Sequence, residues 1–182
     1  MKQEIRIIGG RYRGKKISFP DSEGLRPTPD RVRETLFNWL MHDIRNARCL
    51  DAFAGSGALG LEAFSRGASQ VCFLEQNRLV FKALQNNIAH FNTRDLTLFN
   101  IDACDFIRHP KQCFDIIFLD PPFASNLLMP CLDVLNKSTI LTPEGLVYFE
   151  SPLEMTVDPL QWVVLKQKKA GLVFYGLLKK RT

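Results

Sequence analysis

The chain has 182 residues, 46% of them hydrophobic and 24% charged, which is an ordinary composition for one globular domain. No apolar stretch approaches the ~20 residues of a membrane-spanning helix, and the N-terminus lacks the apolar segment of a signal peptide, so we expect a cytoplasmic protein with no membrane partner. The five cysteines include no C-x-x-C pair, which argues against a zinc site and a disulfide framework, and we expect no metal.

The formal net charge is +5, and the charges are unevenly distributed. The first 33 residues contain nine basic and four acidic residues, whereas the remaining residues contain 15 of each. The whole excess therefore lies in the first fifth of the chain. A localised basic segment is typical of a surface that binds a polyanion, although a solvated charged face would have the same composition.

The first predicted element is a β-hairpin over residues 5–19, with glycines at its turn. A polar loop with proline and glycine follows over residues 20–27. Thr28 then has the features of a helix N-cap, with Pro29 at the first helical position. The apolar spacing after Pro29 is helical, and we expect this helix to pack the basic arm against the rest of the protein.

Beyond the N-terminal helix the chain alternates between strand-like and helix-like segments. Strands are predicted at residues 49–53, 71–75, 96–100, 114–119 and 146–150, and near the C-terminus at 162–169 and 172–179. Helices are predicted at residues 58–66, 78–91, 104–108 and 125–136. Regular alternation of this kind predicts a parallel, doubly wound sheet.

The last two strands are separated only by Ala170-Gly171, which is too short for a parallel crossover, so they should pair antiparallel. The predicted fold class is therefore α/β, a Rossmann-like, doubly wound, mainly parallel seven-stranded sheet that ends in an antiparallel β-hairpin. The small basic N-terminal hairpin and helix, residues 1–45, would pack on a main domain of residues 46–182.

Residues 51–60 join the first strand of the main domain to its first helix and contain Gly55, Gly57 and Gly60 in a G-x-G-x-x-G pattern. With Glu75 about 20 residues further on, this spacing matches the dinucleotide fingerprint, in which the acid binds a ribose hydroxyl. Asp51 argues against a dinucleotide, because it precedes the glycines at the strand end and would repel a pyrophosphate.

Four acidic residues lie at or just beyond successive strand ends: Asp51, Glu75, Asp102 and Asp120. Carboxylates around one crevice suit a ligand with ribose hydroxyls, an adenine amino group and a cationic ammonium group. S-adenosylmethionine has all three. For any single acid, a helix cap or a surface carboxylate is the alternative, but the ordered set favours a cofactor site.

Asp120-Pro121-Pro122-Phe123 directly follows the apolar segment at residues 114–119, at the strand end where open α/β sheets bind ligands. Prolines fix φ and donate no N–H, so the turn presents carbonyl oxygens in a rigid array. Asp120 adds an acceptor, and Phe123 adds a flat face. This arrangement suits the exocyclic amino group of a nucleobase, whose two N–H donors need two acceptors and whose ring needs a stacking partner.

These residues resemble the class I S-adenosylmethionine-dependent methyltransferases, and more narrowly the bacterial 16S ribosomal RNA guanine-N2 methyltransferases of the RsmD type. The resemblance covers nearly the whole chain, and its most discriminating motif is Leu25-Arg26-Pro27-Thr28-Pro29-Asp30-Arg31-Val32-Arg33-Glu34-Thr35-Leu36-Phe37-Asn38-Trp39-Leu40. The other matching motifs are Arg6-Ile7-Ile8-Gly9-Gly10 with Arg13-Gly14, the loop Asp51-Ala52-Phe53-Ala54-Gly55-Ser56-Gly57, and the Asp120–Phe123 turn. Many amino-methylating enzymes have tyrosine in place of Phe123, and the missing hydroxyl leaves stacking intact.

The resemblance implies a role for each matched group of residues. The implied cofactor-binding residues are Asp51, Phe53, Gly55, Ser56, Gly57, Glu75, Asp102 and Ala103. The implied catalytic residues are Asp120, Pro121, Pro122 and Phe123. The implied RNA-binding residues are Arg6, Arg11, Arg13, Lys15, Lys16, Arg26, Arg31 and Arg33. Among the cofactor residues, Asp51 would bind the ammonium group, Glu75 the ribose hydroxyls and Asp102 the adenine edge.

The reaction implied by the resemblance is methyl transfer from S-adenosylmethionine, which leaves S-adenosylhomocysteine, to the exocyclic N2 of guanine 966 in 16S ribosomal RNA. The implied partner is that RNA within the small ribosomal subunit or an assembly intermediate, and a monomer would suffice. A DNA adenine-N6 or cytosine-N4 methyltransferase would use the same tetrapeptide, but the chain shows no separate DNA-reading domain. A non-catalytic RNA-binding assembly factor and an NAD-dependent oxidoreductase are further alternatives, and the latter has no use for the Asp120–Phe123 turn.

Overall fold

The N-terminal arm is a two-stranded hairpin followed by a helix. Strand β1 (Lys2–Arg6) pairs antiparallel with β2 (Lys16–Pro20), and helix α1 spans Asp30–Trp39. The structure, a computed structural model, describes residues 2–22 and 25–181. Residues 23 and 24 of the predicted 20–27 loop lie outside the described residues. The predicted hairpin is confirmed, although residues 7–15 connect its strands as a long loop.

A seven-stranded sheet with helices on both faces follows the arm. Its strands are β3 (Arg48–Asp51), β4 (Gln70–Leu74), β5 (Leu96–Phe99), β6 (Phe114–Leu119), β7 (Leu141–Ser151), β8 (Trp162–Ala170) and β9 (Val173–Lys180). Its helices are α2 (Ala58–Ser65), α3 (Arg78–Ala89), α4 (Ala103–Arg108) and α5 (Leu128–Lys137). Among the described residues, no helix combines the length and the apolarity needed to cross a bilayer.

The strands lie in the order β5-β4-β3-β6-β7-β9-β8. Neighbours from β5 to β7 are parallel, whereas β9 is antiparallel to both β7 and β8. This order confirms the predicted doubly wound α/β sheet and its terminal antiparallel hairpin. The largest departure in the helices is α5, predicted from residue 125. It begins at Leu128 because a 3-10 turn at Phe123–Ser125 and the left-handed Asn126 (φ 52°) precede it.

Each face of the sheet buries its own apolar cluster. Ile17 from β2 and Leu36 from α1 belong to the same cluster as Phe118 from β6. On the other face, Leu132 of α5 packs in a cluster with Ile117 of β6. Successive residues of one strand point to opposite faces, so β6 contributes to both clusters. The N-terminal arm therefore shares the hydrophobic core of the sheet, and this holds the arm in a defined position.

A buried ionic cluster also fastens the arm to α2. Arg33 of α1 and Glu62 of α2 are both fully buried, with Nη1 and Oε2 3.3 Å apart. The same Glu62 oxygen accepts a hydrogen bond from the Ile8 N–H at 2.9 Å, and Arg33 Nη2 donates to the Arg6 carbonyl at 2.9 Å. The prediction that Arg33 binds RNA is therefore wrong, because its guanidinium is enclosed and bonded within the protein.

Candidate active site

A crevice opens at the carboxyl end of the parallel strands, between β3 and β6. The strand order reverses here, so the connections after these two strands lead to opposite sides and leave a gap. A cavity of about 880 Å³ fills the gap, which is within the usual range for small-ligand sites. It is lined by every predicted cofactor and catalytic residue except Gly57: Asp51, Phe53, Gly55, Ser56, Glu75, Asp102, Ala103, Asp120, Pro121, Pro122 and Phe123.

The glycine-rich loop brings backbone close to the end of β3. Gly57 precedes α2 in the left-handed region (φ 81°), which favours glycine. A side chain at Gly60 would overlap the Phe73 ring. Because Gly60 has none, its N–H reaches Asp51 Oδ2 at 2.9 Å. The turn that begins α2 is thereby held against the β3 carboxylate, and the start of the helix faces the cavity.

Two carboxylates on the loop side of the cavity, the buried Asp51 and the half-buried Glu75, accept hydrogen bonds from backbone N–H groups. Asp51 accepts from Gly60, while Glu75 accepts from Gly55 at 2.9 Å and from Asn77 at 2.7 Å. Burial, with a smaller contribution from repulsion by Glu75 and against the opposing Gly60 hydrogen bond, raises the pKa of Asp51 to about 7. Burial also raises the pKa of Glu75. A cationic ligand would stabilise the ionised form of both groups.

At the start of α4 the cavity is lined by a hydrogen-bond acceptor, Asp102, beside an apolar side chain, Ile101. Asp102 caps α4 by accepting the Asp105 N–H at 3.0 Å through Oδ1, and this bond leaves its second oxygen unused. Ile101, 37% exposed, lines the cavity next to it. An adenine ring, which has an apolar face and an amino edge, matches this combination.

The charge of the lining residues separates two classes of cofactor. Arg26, on the N-terminal arm, is the one cation among the described lining residues. A pyrophosphate beside Asp51 and Glu75 would meet negative charge instead of lysine or arginine. The lining therefore fits S-adenosylmethionine, with its ribose, adenine and ammonium groups, better than it fits a dinucleotide.

Asp120 follows β6 and is anchored from the N-terminal arm. Thr28 is buried, and its hydroxyl donates to Asp120 Oδ2 at 3.2 Å. The prediction of Thr28 as a helix N-cap is wrong, since Pro29 occupies that position without a side-chain hydrogen bond. The Thr28 hydroxyl is instead used to orient the carboxylate, which leaves Asp120 Oδ1 available to a substrate.

Glu150 is a second buried carboxyl group in the cavity, and sequence reasoning missed it. It lies near the end of β7, is 4% exposed, and accepts a hydrogen bond from the Tyr148 hydroxyl at 2.9 Å. Burial, together with repulsion from Glu150, raises the pKa of Asp120 well above its ordinary value. Burial likewise raises the pKa of Glu150. Glu150 lies near the end of a strand, as do the four acids that the sequence indicated, so the same criterion could have identified it.

The turn after Asp120 separates the main cavity from a smaller one. Pro121 is buried, whereas Phe123 is 41% exposed and lines both cavities. The smaller cavity has a volume of about 440 Å³ and is bordered by Met129 and Leu153. The exposed ring of Phe123 is therefore available to stack on a planar group that enters from outside.

The predicted RNA-binding residues fall into three groups. Arg6, Arg11, Arg13, Lys16, Arg26 and Arg31 are exposed. Lys15 is half-buried, donates to the His90 carbonyl at 3.1 Å, and lies over the Phe91 ring. Arg33 is buried, as described above. Of these residues Arg26 also lines the main cavity, so the arm reaches the mouth of the site.

The described residues contain no cluster of three or more histidine, cysteine, aspartate or glutamate side chains arranged to hold a metal ion. Three carboxylates of the cavity instead accept hydrogen bonds within the protein, Asp51 from the Gly60 N–H, Glu75 from the Gly55 N–H and Asp120 from the Thr28 hydroxyl. Their arrangement indicates binding of organic amino and hydroxyl groups.

Known proteins resemble the chain over nearly its whole length. A family model described as conserved hypothetical protein 95 matches residues 5–179. Ribosomal RNA small subunit methyltransferase D of Haemophilus influenzae is 44% identical over 181 residues, which cover 97% of this chain and 94% of the relative. The protein of the same name from Escherichia coli K12 is 45% identical over 179 residues, covering 97% and 90%. A solved structure, "Putative methyltransferase yhhF from Escherichia coli", has a TM-score of 0.90 at 43% identity and covers 98% of this chain and 99% of that one.

Proposed function

Since this chain belongs to the conserved hypothetical protein 95 family, whose curated relatives include the ribosomal RNA small subunit methyltransferases D, we propose that it methylates 16S ribosomal RNA. The methyl donor is S-adenosylmethionine and the acceptor is the exocyclic N2 of a guanine, with guanine 966 as the position that the resemblance implies. The substrate is the RNA within the small ribosomal subunit or an assembly intermediate. The protein acts in the cytoplasm as a monomer, with residues 1–45 contacting RNA and residues 46–182 as the methyltransferase domain.

One observation carries the proposal: the acid-lined crevice and the Asp120–Phe123 turn border the same cavity. A cofactor held by Asp51, Glu75 and Asp102 would present its reactive end toward Asp120. A non-catalytic RNA-binding assembly factor would not need the cofactor crevice and the Asp120–Phe123 turn to share one cavity. A dinucleotide enzyme has no need for the hydrogen-bond acceptors of the Asp120–Phe123 turn.

The cofactor residues act through their fixed oxygen atoms. Asp51 pairs with the ammonium group, Glu75 accepts from the ribose hydroxyls, and the free oxygen of Asp102 accepts from the adenine amino group. S-adenosylmethionine, when bound, supplies a methyl group activated by its sulfonium. Gly55 leaves the loop without a side chain where the cofactor would approach the backbone, whereas a side chain at Gly57 would overlap Leu84 in the core.

The acceptor side of the site prepares the nucleophile. The guanine N2 lone pair is delocalised into the ring and is a poor nucleophile. Asp120 Oδ1 and the Pro121 carbonyl accept the two N–H bonds, which turns the nitrogen toward tetrahedral geometry. As the nitrogen bonds to the methyl carbon, the carbon–sulfur bond of the donor would break and S-adenosylhomocysteine would leave. Positive charge would develop on the nitrogen, so a fixed carboxylate and carbonyl dipole stabilise the transition state more than the ground state. The nitrogen would then release one N–H proton to the Asp120 carboxylate that accepts it.

The target base must leave its stack to reach Asp120 and the Pro121 carbonyl inside the cavity, at a cost of a few kcal/mol. Stacking on Phe123 offsets roughly 1–3 kcal/mol of that cost. An unpaired loop nucleotide is therefore the preferred target. The exposed arginines and lysines of the N-terminal arm hold phosphates and set the register, which makes RNA binding sensitive to salt.

Transfer of a labelled methyl group tests the proposal. The acceptors are unmodified small ribosomal subunits, free 16S ribosomal RNA and duplex DNA, and the product nucleoside is identified by chromatography. We expect N2-methylguanosine from a ribosomal acceptor. Label in adenine or cytosine of DNA would instead establish a DNA methyltransferase, and no label in any acceptor would favour the non-catalytic assembly factor.

Replacing Glu150 by glutamine should move the acid limb of the pH–rate profile to lower pH. Ionised Asp120 is the active form, and removing the negative charge of Glu150 lowers the pKa of Asp120. The measurement is kcat/KM for methyl transfer across the pH range. Glu144→Gln is the matched control, because Glu144 is an exposed carboxylate of the same strand. An unchanged acid limb in Glu150→Gln would show that Glu150 does not influence Asp120.

Cofactor affinity should increase roughly tenfold between about pH 5.5 and pH 7, where the α-amino group of the cofactor stays protonated. Asp51, with a pKa of about 7 in the free protein, is mostly neutral at the lower pH and must lose its proton to pair with a cation. Calorimetry in buffers of different ionisation enthalpy should detect that released proton. Asp51→Asn should bind more weakly and without this pH dependence; if the variant kept the dependence, another group would be responsible.

A further inference from the structure

The chain has a second basic segment besides residues 1–33, within the main domain of residues 46–182. Residues 159–182 contain six basic residues, Lys166, Lys168, Lys169, Lys179, Lys180 and Arg181, and no acidic residue. The net charge of residues 34–182 is nevertheless zero, because the excess of acidic residues at positions 34–158 cancels the positive charge of this segment. In the fold, the segment is the β8–β9 hairpin, whose β8 forms the edge of the sheet.

The tip of this hairpin stands at the mouth of the main cavity. Ala170 pairs with Val173 across a two-residue turn, and residues 170–173 all line the cavity that contains Asp120. Gly171 takes up the turn with φ 60° and has open space around it. Leu172 is 86% exposed, so the turn presents an apolar side chain that nothing in the described structure covers.

The lysines near the tip differ from those at the base of the hairpin. At the base, Lys179 pairs with Glu144 at 2.6 Å and Lys180 donates to the Ser138 carbonyl at 3.3 Å. Near the tip, Lys166, Lys168 and Lys169 are exposed. In the part of the chain whose side chains the structure describes, none of these three forms an ion pair with a carboxylate. Their charge is therefore available to an external anion.

The hairpin tip is also held firmly enough to serve as a contact surface. Trp39 at the end of α1 stacks on Tyr175 of β9, with ring centroids 5.5 Å apart. Lys168 Nζ lies 5.8 Å from the centre of the same Trp39 ring. The hairpin is thus packed against the N-terminal arm, and both elements border one cavity through Leu172 and Arg26.

We propose that the β8–β9 hairpin tip is a second RNA-contacting surface, in which Lys166 and Lys168 on one face of the strand and Lys169 on the other bind phosphates, and Leu172 packs against the nucleotide next to the target. This inference rests on the proposed function, in which the main cavity binds the target base of an RNA strand. The N-terminal arm and the hairpin then hold the strand from two sides of the mouth. Lysines supply sequence-independent affinity, and an apolar side chain beside the target helps keep the base unstacked.

RNA binding by a double variant tests the lysines. Lys168→Gln/Lys169→Gln is compared with Lys111→Gln/Lys137→Gln, which removes the same charge from exposed lysines near the opposite, amino-terminal ends of β6 and β7. Fluorescence anisotropy with an unmodified 16S RNA fragment gives the affinity over a range of salt. We expect the hairpin variant to bind about tenfold more weakly. The plot of log affinity against log salt concentration should be less steep by about 1.4, since two phosphate contacts are lost. Equal affinities and slopes in the two variants would overturn the proposal.

Methyl transfer to paired and unpaired targets tests Leu172. Leu172→Ser should lower kcat/KM at least fivefold for a guanine in a stem and by less for a guanine in a loop. Leu160→Ser is the control, since Leu160 is 84% exposed just before β8 begins, at the other end of that strand. An effect in Leu172→Ser no larger than in the control, on both targets, would remove Leu172 from the contact.

The two proposals fail in different ways. A wild-type protein that binds RNA through the hairpin lysines but methylates no RNA would overturn the proposed function and leave the contact surface standing. A wild-type protein that forms N2-methylguanosine, with hairpin variants that bind and methylate RNA like their controls, would overturn the contact surface alone.

Discussion

Asp120→Ala is expected to reduce methyl transfer by about 10²–10³-fold, the range seen when one preorganised group is removed from a transition-state site. The alanine removes the carboxylate that accepts an N–H of the target amino group, while the Pro121 carbonyl remains. S-adenosylmethionine affinity should stay within about threefold, because the lost interaction forms with the acceptor base. Single-turnover transfer and equilibrium cofactor binding measure the two effects separately.

Asp120→Asn is the matched control for this result. Its single amide oxygen can accept from the substrate while its N–H donates to the Thr28 oxygen, but it lacks the negative charge. We expect a loss of about tenfold, because charge-assisted hydrogen bonds are roughly twice as strong as neutral ones. The thermal stability of Asp120→Ala should not fall far, since the repulsion between the half-buried Asp120 and the buried Glu150 is relieved. Near-normal transfer by Asp120→Ala would remove Asp120 from the mechanism.

Arg33→Met should lower the free energy of unfolding by about 3–5 kcal/mol, the usual cost of removing one partner of a buried ion pair. Glu62 would remain buried opposite the missing charge. Its bonds to the Ile8 N–H at 2.9 Å and to Arg66 Nε at 2.7 Å partly compensate, so the lower end of the range is expected. Urea unfolding, with the midpoint and slope compared between variants, is the measurement.

Two variants separate the ion pair from a general effect of losing an arginine. Arg31→Met, at an exposed position of the same helix, should change the free energy of unfolding by no more than about 0.5 kcal/mol. Arg33→Met/Glu62→Gln should be less destabilised than Arg33→Met alone, because the uncompensated charge is gone. If Arg33→Met unfolded like Arg31→Met, the buried pair would contribute nothing to stability.

The N-terminal arm connects the Arg33–Glu62 ion pair to the Asp120 carboxylate of the cavity. The Arg33–Glu62 pair fixes α1 against α2, and Thr28 lies five residues before Arg33 in the sequence. Fixing α1 therefore holds the Thr28 hydroxyl within 3.2 Å of Asp120. A destabilised arm should consequently impair catalysis as well as RNA binding, although Arg33 touches neither substrate.

The alternation of strands and helices and the site motifs could be predicted because their signals are local. The apolar run at 114–119 coincides with β6 as observed, and a parallel sheet places the acid after each strand at one edge. The hairpin at the C-terminus followed from the shortness of its connection. In the same way, the cavity gathers the predicted cofactor and catalytic residues apart from Gly57.

The sequence by itself thus determined the fold class, the edge of the sheet that carries the site, and four of the five acids that line it. Only the tertiary structure decided the partners of the buried polar groups. Thr28 and Asp120 are 92 positions apart in the chain, and Arg33 meets Glu62 across two helices. The neighbouring sequence of a basic or hydroxyl side chain does not show whether that side chain faces solvent or packs against another helix or strand. Its role depends on which distant residues pack against it, because burial makes a missing hydrogen bond or counter-charge costly.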